Sequence, residues 1–140
     1  MHAQFNYLKK NPKQLKNWYD KKVNEKTSNF NNFEEFKDWY ESQEKFCHYC
    51  GLTEIESQEV VITKKLESNR CPQDGKHGRG TSRAMWLEID RYDPKGKYEI
   101  SNIRLCCYFC NNDKSDIFHG DDYKIFIKDR VSYLKKLLLT

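Results

Sequence analysis

The sequence contains no apolar stretch of the length that crosses a membrane. A transmembrane helix needs about 20 consecutive apolar residues, whereas the C-terminal tail offers three leucines, Leu137 to Leu139. The first residues, MHAQFNYLKKNPKQ, lack the apolar core of a signal peptide. Internal repeats and low-complexity tracts are also absent from the sequence. We therefore expect a cytoplasmic protein without membrane association.

Hydrophobic residues are scarce, at 37% of the 140 residues against 33% that are charged. A chain of this length forms one domain with a modest core, so we predict a single domain over residues 1–140. Aromatic residues reach 14%, which argues against a disordered chain. A structural metal ion would compensate for the small apolar content.

The charge is only mildly unbalanced. Lys and Arg number 25 and Asp and Glu 21, a net charge of +4 that permits nucleic-acid binding without requiring it. The most basic loop spans residues 69–83, NRCPQDGKHGRGTSR. We expect its Lys76, Arg79 and Arg83 to contact DNA phosphates or guanine edges, although an ordinary solvated loop explains the composition equally well. The lysines of residues 1–26 fit a solvated helix face better than a basic arm along phosphates.

Four of the six cysteines form two Cys-x-x-Cys pairs. Without a signal peptide the cysteines should stay reduced, so disulfides are disfavoured. Cys47 and Cys50 form the first pair, and Cys107 and Cys110 form the second after the intervening residues 51–106. Two residues between cysteines let both sulfurs turn toward one ion, and four thiolates complete a closed tetrahedral site. We predict a structural Zn²⁺, with Cys106 as a small core residue.

Cys71 lies in the basic loop, where the sequence gives it no clear role.

Helical spacing of apolar residues predicts three helices in the first half of the chain. Pro12 opens the first, which runs through Val23. Asn31 or Asn32 caps the second, whose aromatic residues between 33 and 40 are expected to pack in the core. Thr53 caps the third, over residues 55–66.

After the basic loop, the pattern changes to strand, loop, strand, helix. Apolar and polar residues alternate over residues 84–91, which is typical of a strand with one buried face. Turn-forming residues follow at 93–96, and a second short strand covers residues 103–106. A short helix is then predicted from Asn111 or Asn112.

This half of the chain contains Asp90-Arg91, Asn102 and Cys107-x-x-Cys110-Asn111-x-x-Lys114 in that order. The pattern resembles the HNH endonucleases, a family with a ββα-metal fold. The match is strongest to restriction enzymes of the family that share Asp-Arg, a tyrosine four residues before the central Asn, and the Asn-x-x-Lys-Ser-x-Ile-Phe run.

The resemblance implies an α+β fold with a small zinc-stabilised ββα-metal core. That core would cover residues 46–118, between a helical N-terminal arm at 1–45 and a long C-terminal helix at 119–140. The implied activity is hydrolysis of DNA phosphodiester bonds.

The resemblance also implies roles for individual residues. Asp90 and Asn111 would offer oxygen ligands to a divalent ion, Mg²⁺ or Mn²⁺ in its place. Asn102 would hold the strand–loop–strand in shape, and Lys114 would touch phosphate or cap the packing. In the restriction enzymes an N-terminal histidine supplies the third ligand. In this chain the third ligand is open among water, His77 and His119. The restriction enzymes also have an N-terminal four-cysteine site that this chain lacks.

The clearest departure from the family is at position 91. Family members have a histidine there that activates water, whereas arginine stays protonated and cannot accept a proton. We expect Arg91 to clamp the scissile phosphate. Tyr98 then becomes the candidate base or nucleophile, with Tyr92 a weaker alternative. A free phenol ionises only near pH 10, so Tyr98 would need cationic neighbours such as Arg91.

We therefore predict an HNH endonuclease acting on double-stranded DNA, of the site-specific restriction type. Alternatives are a phage-type homing or nicking endonuclease, a non-catalytic zinc-knuckle DNA-binding module, and cleavage of RNA. Cutting both strands of a palindrome requires two centres, hence a homodimer. The final helix, predicted from Asp121 or Asp122 to Leu138, has an apolar face broad enough for that contact or for core packing.

Overall fold

The computed structural model describes residues 5–73, 76–128 and 135–140. Within these ranges the chain forms a small α+β fold, which confirms the predicted fold class. The helices and strands follow one another as α1 Pro12–Asn24, α2 Phe33–Ser42, α3 Glu54–Ile62, β1 Glu88–Arg91, β2 Ile103–Cys106, α4 Tyr108–Lys114 and α5 Gly120–Phe126. A short 3-10 turn, Ile100–Asn102, leads into β2.

The two strands form an antiparallel hairpin that carries the centre of the fold. Its register pairs Glu88 with Cys106 and Arg91 with Ile103, and α4 follows β2 and packs on β1. This arrangement is the predicted strand–loop–strand–helix unit. It brings the end of β1 next to α4, which positions the candidate site.

The first strand is shorter than predicted. Ala84 has a left-handed backbone with φ of 69°, so the chain turns there and extended pairing begins only at Glu88. The predicted alternation is also wrong: Trp86, expected on the polar face, is buried and donates its indole N–H to the Leu8 carbonyl at 2.8 Å. Residues 84–86 are buried because they fill the second apolar cluster, whereas Leu87 belongs to the first.

The three predicted N-terminal helices are confirmed, together with the predicted caps of the second and third. Asn11 caps α1 ahead of Pro12, and the Asn32 side chain accepts from the Glu35 N–H at 2.9 Å at the start of α2. Thr53 and Glu56 form a capping box at the start of α3. That third helix ends at Ile62, short of the predicted residue 66.

The fourth helix begins at Tyr108, three residues before the predicted start at Asn111. Cys107 is its capping residue, and its sulfur accepts from the Cys110 N–H at 3.4 Å. The predicted start was wrong because the sulfur of Cys107, and not an asparagine side chain, caps this helix. Asn111 therefore lies one turn inside the helix.

The core has two parts. Phe36 is fully buried at the centre of an aromatic cluster in the first part, stacked on Trp18 at 4.8 Å between ring centroids. The second part packs Val60, Val61 and Met85 around Cys71. Cys71 is thus a core residue, a role that the sequence did not reveal.

The C-terminal helix is described only in part. α5 ends at Phe126, and residues 135–137 are helical again. The intervening part of the predicted helix, with Val131 and Leu134, lies outside the described residues. No helix in the described ranges is long and apolar enough to span a membrane.

Candidate functional site

The two Cys-x-x-Cys pairs meet in space. The sulfur atoms of Cys47, Cys50, Cys107 and Cys110 all lie within 4.8 Å of one another, with Cys50 and Cys107 3.8 Å apart. Four thiolates at this spacing suit the tetrahedral coordination of zinc. The donor set fits Zn²⁺, and no coordination position is left open.

The backbone explains why the first pair can meet the second. Gly51 has a φ of 78°, which a residue with a side chain rarely adopts, and its N–H bonds the Cys47 carbonyl at 2.9 Å. His48 N–H bonds the Leu105 carbonyl at 2.8 Å, which fastens the turn to β2. The first pair is therefore held against the strand that leads into the second pair.

The neighbouring thiols are not equivalent. Hydrogen bonds from the surrounding thiols, first among them Cys106, lower the pKa of Cys47, whereas burial raises the pKa of Cys106. Cys106 is fully buried and donates to the Cys107 carbonyl at 3.4 Å. Cys106 lies outside the cluster of four and is the small core residue that the sequence predicted.

A polar cleft of about 260 Å³ opens between β1, the following loop and α4. Five residues predicted for the site line it: Arg83, Asp90, Arg91, Tyr98 and Asn111. It is also lined by residues that the sequence did not single out: Ile89, Pro94, Asn112, Ser115 and Asp116. Side chains from a strand, a loop and a helix therefore converge on one open space.

Asp90 is the most buried acid of the cleft, with 4% of its surface exposed. Its Oδ2 accepts from the Tyr49 hydroxyl at 2.5 Å, and its Oδ1 accepts from Lys114 Nζ at 3.2 Å. Burial raises the pKa of the carboxyl, while the bonds from Tyr49 and Lys114 act in the opposite direction. Each oxygen of the Asp90 carboxylate therefore accepts a hydrogen bond that fixes its orientation.

Lys114 is completely buried. Besides Asp90, its ammonium donates to the Arg91 carbonyl at 2.9 Å. Of the two roles considered for Lys114, contact with phosphate or packing, this geometry corresponds to packing. The lysine fixes Asp90 and the end of β1 against α4.

Asn111 is oriented by Glu88. The amide Nδ2 donates to Glu88 Oε1 at 2.7 Å, and a carboxylate can only accept, so the bond fixes which end of the amide faces Glu88. The same carboxylate accepts two bonds from Arg83, at 2.8 and 3.0 Å. The amide oxygen of Asn111 is left for other partners.

Arg91 and Tyr98 lie against each other. The guanidinium carbon of Arg91 is 5.0 Å from the centre of the Tyr98 ring, and Lys22 Nζ from α1 is 4.8 Å from it. Trp18 contacts the same ring edge-on at 5.2 Å. Tyr98 is thus held beside two cations, one of which comes from the N-terminal helix.

Asn102 braces the loop between the strands. Its Oδ1 accepts from the Asp93 N–H at 2.9 Å, and its Nδ2 donates to the carbonyls of Asp93 and Lys97, each at 3.0 Å. A side chain at Gly96 would lie 2.7 Å from this amide, so the close packing requires glycine. These bonds join both ends of the loop between the strands, and the part that Asn102 plays in a reaction stays a prediction.

Several predicted residues lie away from the cleft lining. Lys76 and Arg79 are exposed on the basic loop. His77 packs edge-on against Trp86, and His119 caps α5 by accepting from the Asp121 N–H at 3.1 Å. Among the described residues, no histidine lines the cleft.

Tyr92, the weaker candidate for a base, bonds Asp121 through its hydroxyl and does not line the cleft.

Comparison with known proteins adds one result. No family model and no curated protein matches the chain. The solved structure of PacI, a rare-cutting HNH restriction endonuclease, matches with a TM-score of 0.65 over 94% of this chain and 84% of the PacI chain, at 23% identity. The chain has an HNH-type fold. This confirms, at the level of fold, the resemblance found in the sequence motif.

Two residues that hold the cleft of this HNH-type fold were missed by the motif. Tyr49 lies between Cys47 and Cys50 of the four-cysteine cluster, and Glu88 lies two residues before Asp90. Alternation along β1 places Glu88 and Asp90 on one face, a signal that could have identified Glu88. Nothing in the sequence joins Tyr49 to Asp90, because that contact depends on how the cysteine pairs fold together.

Proposed function

We propose that this protein is a metal-dependent DNA endonuclease of the HNH type that cuts at specific sites. The observation that carries the proposal is the shared cleft, in which Asp90, Arg91, Tyr98 and Asn111 meet next to the four-cysteine cluster. Each of these residues alone has an ordinary structural explanation. Their convergence in an HNH-type fold favours a reaction centre.

Asp90 and Asn111 would hold the catalytic ion. Their side chains offer oxygen atoms, which suit hard cations such as Mg²⁺ or Mn²⁺. When bound, the ion supplies stabilisation of the charge that develops on the phosphate and the leaving 3′ oxygen. Asp90 is held by Tyr49 and Lys114 and Asn111 by Glu88, so both ligands are oriented before the ion arrives.

Arg91 and Tyr98 would act on the phosphate and on the attacking group. Hydrolysis forms a bond from a water oxygen to phosphorus and breaks the bond from phosphorus to the 3′ oxygen. Arg91 would clamp the phosphate, since its charge is permanent. Tyr98 would take the proton of the water. Alternatively, its oxygen would attack phosphorus and displace the 3′ oxygen, and water would then hydrolyse the bond from the tyrosine oxygen to phosphorus. Arg91 and Lys22 lie beside the Tyr98 ring.

DNA binding is assigned to the basic loop and to Arg83 at the cleft. Lys76 and Arg79 are exposed and free to neutralise phosphates. Arg83 is partly exposed beside Glu88 and lines the cleft. We assign Lys114 to positioning Asp90, because its buried ammonium is not open to a phosphate.

The test is digestion of pooled genomic DNA of mixed composition with Mg²⁺ or Mn²⁺. The wild type should fragment the DNA, whereas Asp90→Ala and Tyr98→Phe should lose at least 100-fold in rate, the range that removal of one catalytic group typically costs. A Lys37→Met variant on α2, away from the cleft, should cut like the wild type. Wild-type protein that binds DNA but never cuts it would refute the proposal.

The number of strands cut is a separate question. On supercoiled plasmid that carries a mapped site, linear product indicates a homodimer that cuts both strands, and open circles indicate a nicking enzyme. Parallel digestion of duplex RNA tests the third alternative.

One observation favours a second function, a DNA-binding module without catalysis. Lys114 is fully buried and already neutralises Asp90, and Arg91 occupies the position of the family's histidine. Such an ion pair would persist in a centre that no longer binds a cation. The two functions differ in Mn²⁺ binding, which the endonuclease requires and the module does not.

A further inference from the structure

We propose that Tyr49 is a positioning residue that couples the zinc site to the catalytic cleft by fixing the carboxylate of Asp90. The inference rests on the proposed function, since it concerns the affinity of the cleft for a divalent ion. It adds a residue that the HNH motif does not contain.

The position of Tyr49 in the chain is the first argument. It lies between the zinc ligands Cys47 and Cys50, in a turn whose backbone is fastened to β2 by the bond from His48 N–H to the Leu105 carbonyl. A closed four-thiolate site holds such a turn rigidly. The phenol of Tyr49 is therefore set in place by the zinc site.

The target of its hydroxyl is the second argument. Tyr49 donates to Asp90 Oδ2 at 2.5 Å, and Lys114 donates to Oδ1 at 3.2 Å. Without the tyrosine, Asp90 would be held by the lysine alone. The carboxylate would then turn further toward the ammonium, which competes with a metal ion for the same oxygen atoms.

The ring contacts show how to separate this role from packing. The Tyr49 ring packs edge-on against Tyr123 at 5.1 Å and parallel to Tyr92 at 6.2 Å between centroids. Phenylalanine at position 49 keeps both contacts and removes only the hydroxyl. Tyr92 provides a matched control, because its hydroxyl bonds the exposed Asp121 and not Asp90.

The experiment measures Mn²⁺ affinity by titration calorimetry in zinc-loaded protein without DNA. Four proteins are compared: wild type, Tyr49→Phe, Tyr92→Phe and Asp90→Asn. We expect Tyr49→Phe to weaken the Mn²⁺ affinity about tenfold, the lower end of the effect of losing an outer partner of a metal ligand. Tyr92→Phe should bind like the wild type, and Asp90→Asn should lose binding.

A second readout tests that Tyr49 acts through Asp90. The effects of Tyr49→Phe and Asp90→Asn on the denaturation midpoint should be non-additive in the double variant, as for two groups in direct contact. Zinc content near one per chain in every variant shows that the knuckle is intact.

Three outcomes would overturn the inference: equal Mn²⁺ affinity in wild type and Tyr49→Phe, additive effects in the double variant, or loss of zinc or fold in Tyr49→Phe alone. The last would mean that the hydroxyl serves the fold and not the cleft. Absence of Mn²⁺ binding in the wild type would refute the proposed function as well, which distinguishes the two failures.

Discussion

The four-cysteine site and the cleft differ in how their side chains are held in place. The four sulfur atoms lie close together, and the first pair is positioned by a glycine turn and by the backbone bond that fastens this turn to β2. The cleft is open. Its principal acid and amide are held by Lys114, which belongs to the motif, and by Tyr49 and Glu88, which do not. A closed ligand set suits a structural ion, whereas an open cleft leaves room for a substrate.

The same difference predicts how each region responds to the loss of one residue. We expect the four-cysteine site to lose its ion when any one cysteine is replaced, because a tetrahedral site needs all four thiolates. In the cleft, we expect loss of one partner of Asp90 or Asn111 to weaken the site without abolishing it, because the side chain itself remains. The following predictions test this contrast.

Removal of zinc should have the largest effect. Zinc binding typically contributes about 10–16 kcal/mol in small zinc domains, comparable to the whole stability of a domain of this size. A strong chelator should therefore unfold the protein, as measured by circular dichroism. Freshly purified, reduced protein with close to no zinc by elemental analysis would contradict the zinc assignment.

Loss of Lys114 should have the next largest effect, and it tests the cleft. Lys114→Met leaves Asp90 as a buried carboxylate without its cation, which costs about 3–5 kcal/mol in the free energy of unfolding. Urea denaturation measures this cost. Lys97→Met, an exposed lysine of the loop between the strands, is the control and should change stability by less than about 0.5 kcal/mol. Equal effects of the two variants would mean that the buried ion pair does not hold the cleft.

Gly120→Ala tests the packing behind Tyr49. A Cβ at Gly120 would lie 2.3–2.5 Å from ring atoms of Tyr92, the ring that stacks on Tyr49. We expect a loss of about 1–3 kcal/mol, typical of an overpacked site, measured by thermal denaturation. Gly78→Ala is the matched control, since nothing lies within 4 Å of its Cβ position. A neutral Gly120→Ala would mean that the tyrosine stack is loose.

Arg79→Met should have the smallest effect on stability and should act on DNA binding instead. Removing one phosphate contact lowers the slope of log affinity against log salt by about 0.9. Fluorescence anisotropy with duplex DNA at several salt concentrations measures this slope. Lys37→Met should leave the slope unchanged. An unaltered slope for Arg79→Met would favour an ordinary solvated loop over a DNA contact.

The parts of the fold governed by local chemistry were predictable from the sequence. The caps Asn32 and Thr53, the second strand and the two cysteine pairs were all identified correctly, because capping and metal coordination depend on residues close in the chain or on fixed spacing. The resemblance pointed to four of the residues that line the cleft, Asp90, Arg91, Tyr98 and Asn111.

The parts governed by distant contacts were not predictable. The first strand starts late because Ala84 adopts a left-handed turn, which alternation does not reveal. The burial of Lys114 and the bond from Tyr49 to Asp90 depend on the packing of α4 and the zinc knuckle against β1. From the sequence, a lysine on a short helix is expected to be exposed. Its burial follows only from a partner that is distant in the chain, here Asp90.

The most direct test of the account is to map cleavage ends by sequencing pooled genomic DNA after incubation with the zinc-loaded protein. We predict that strand ends accumulate at one short sequence, only with Mg²⁺ or Mn²⁺, and that Asp90→Ala abolishes them. The positions of the two strand ends also report whether one or both strands are cut. Intact DNA with every divalent ion, under conditions in which the protein binds duplex DNA, would contradict the account.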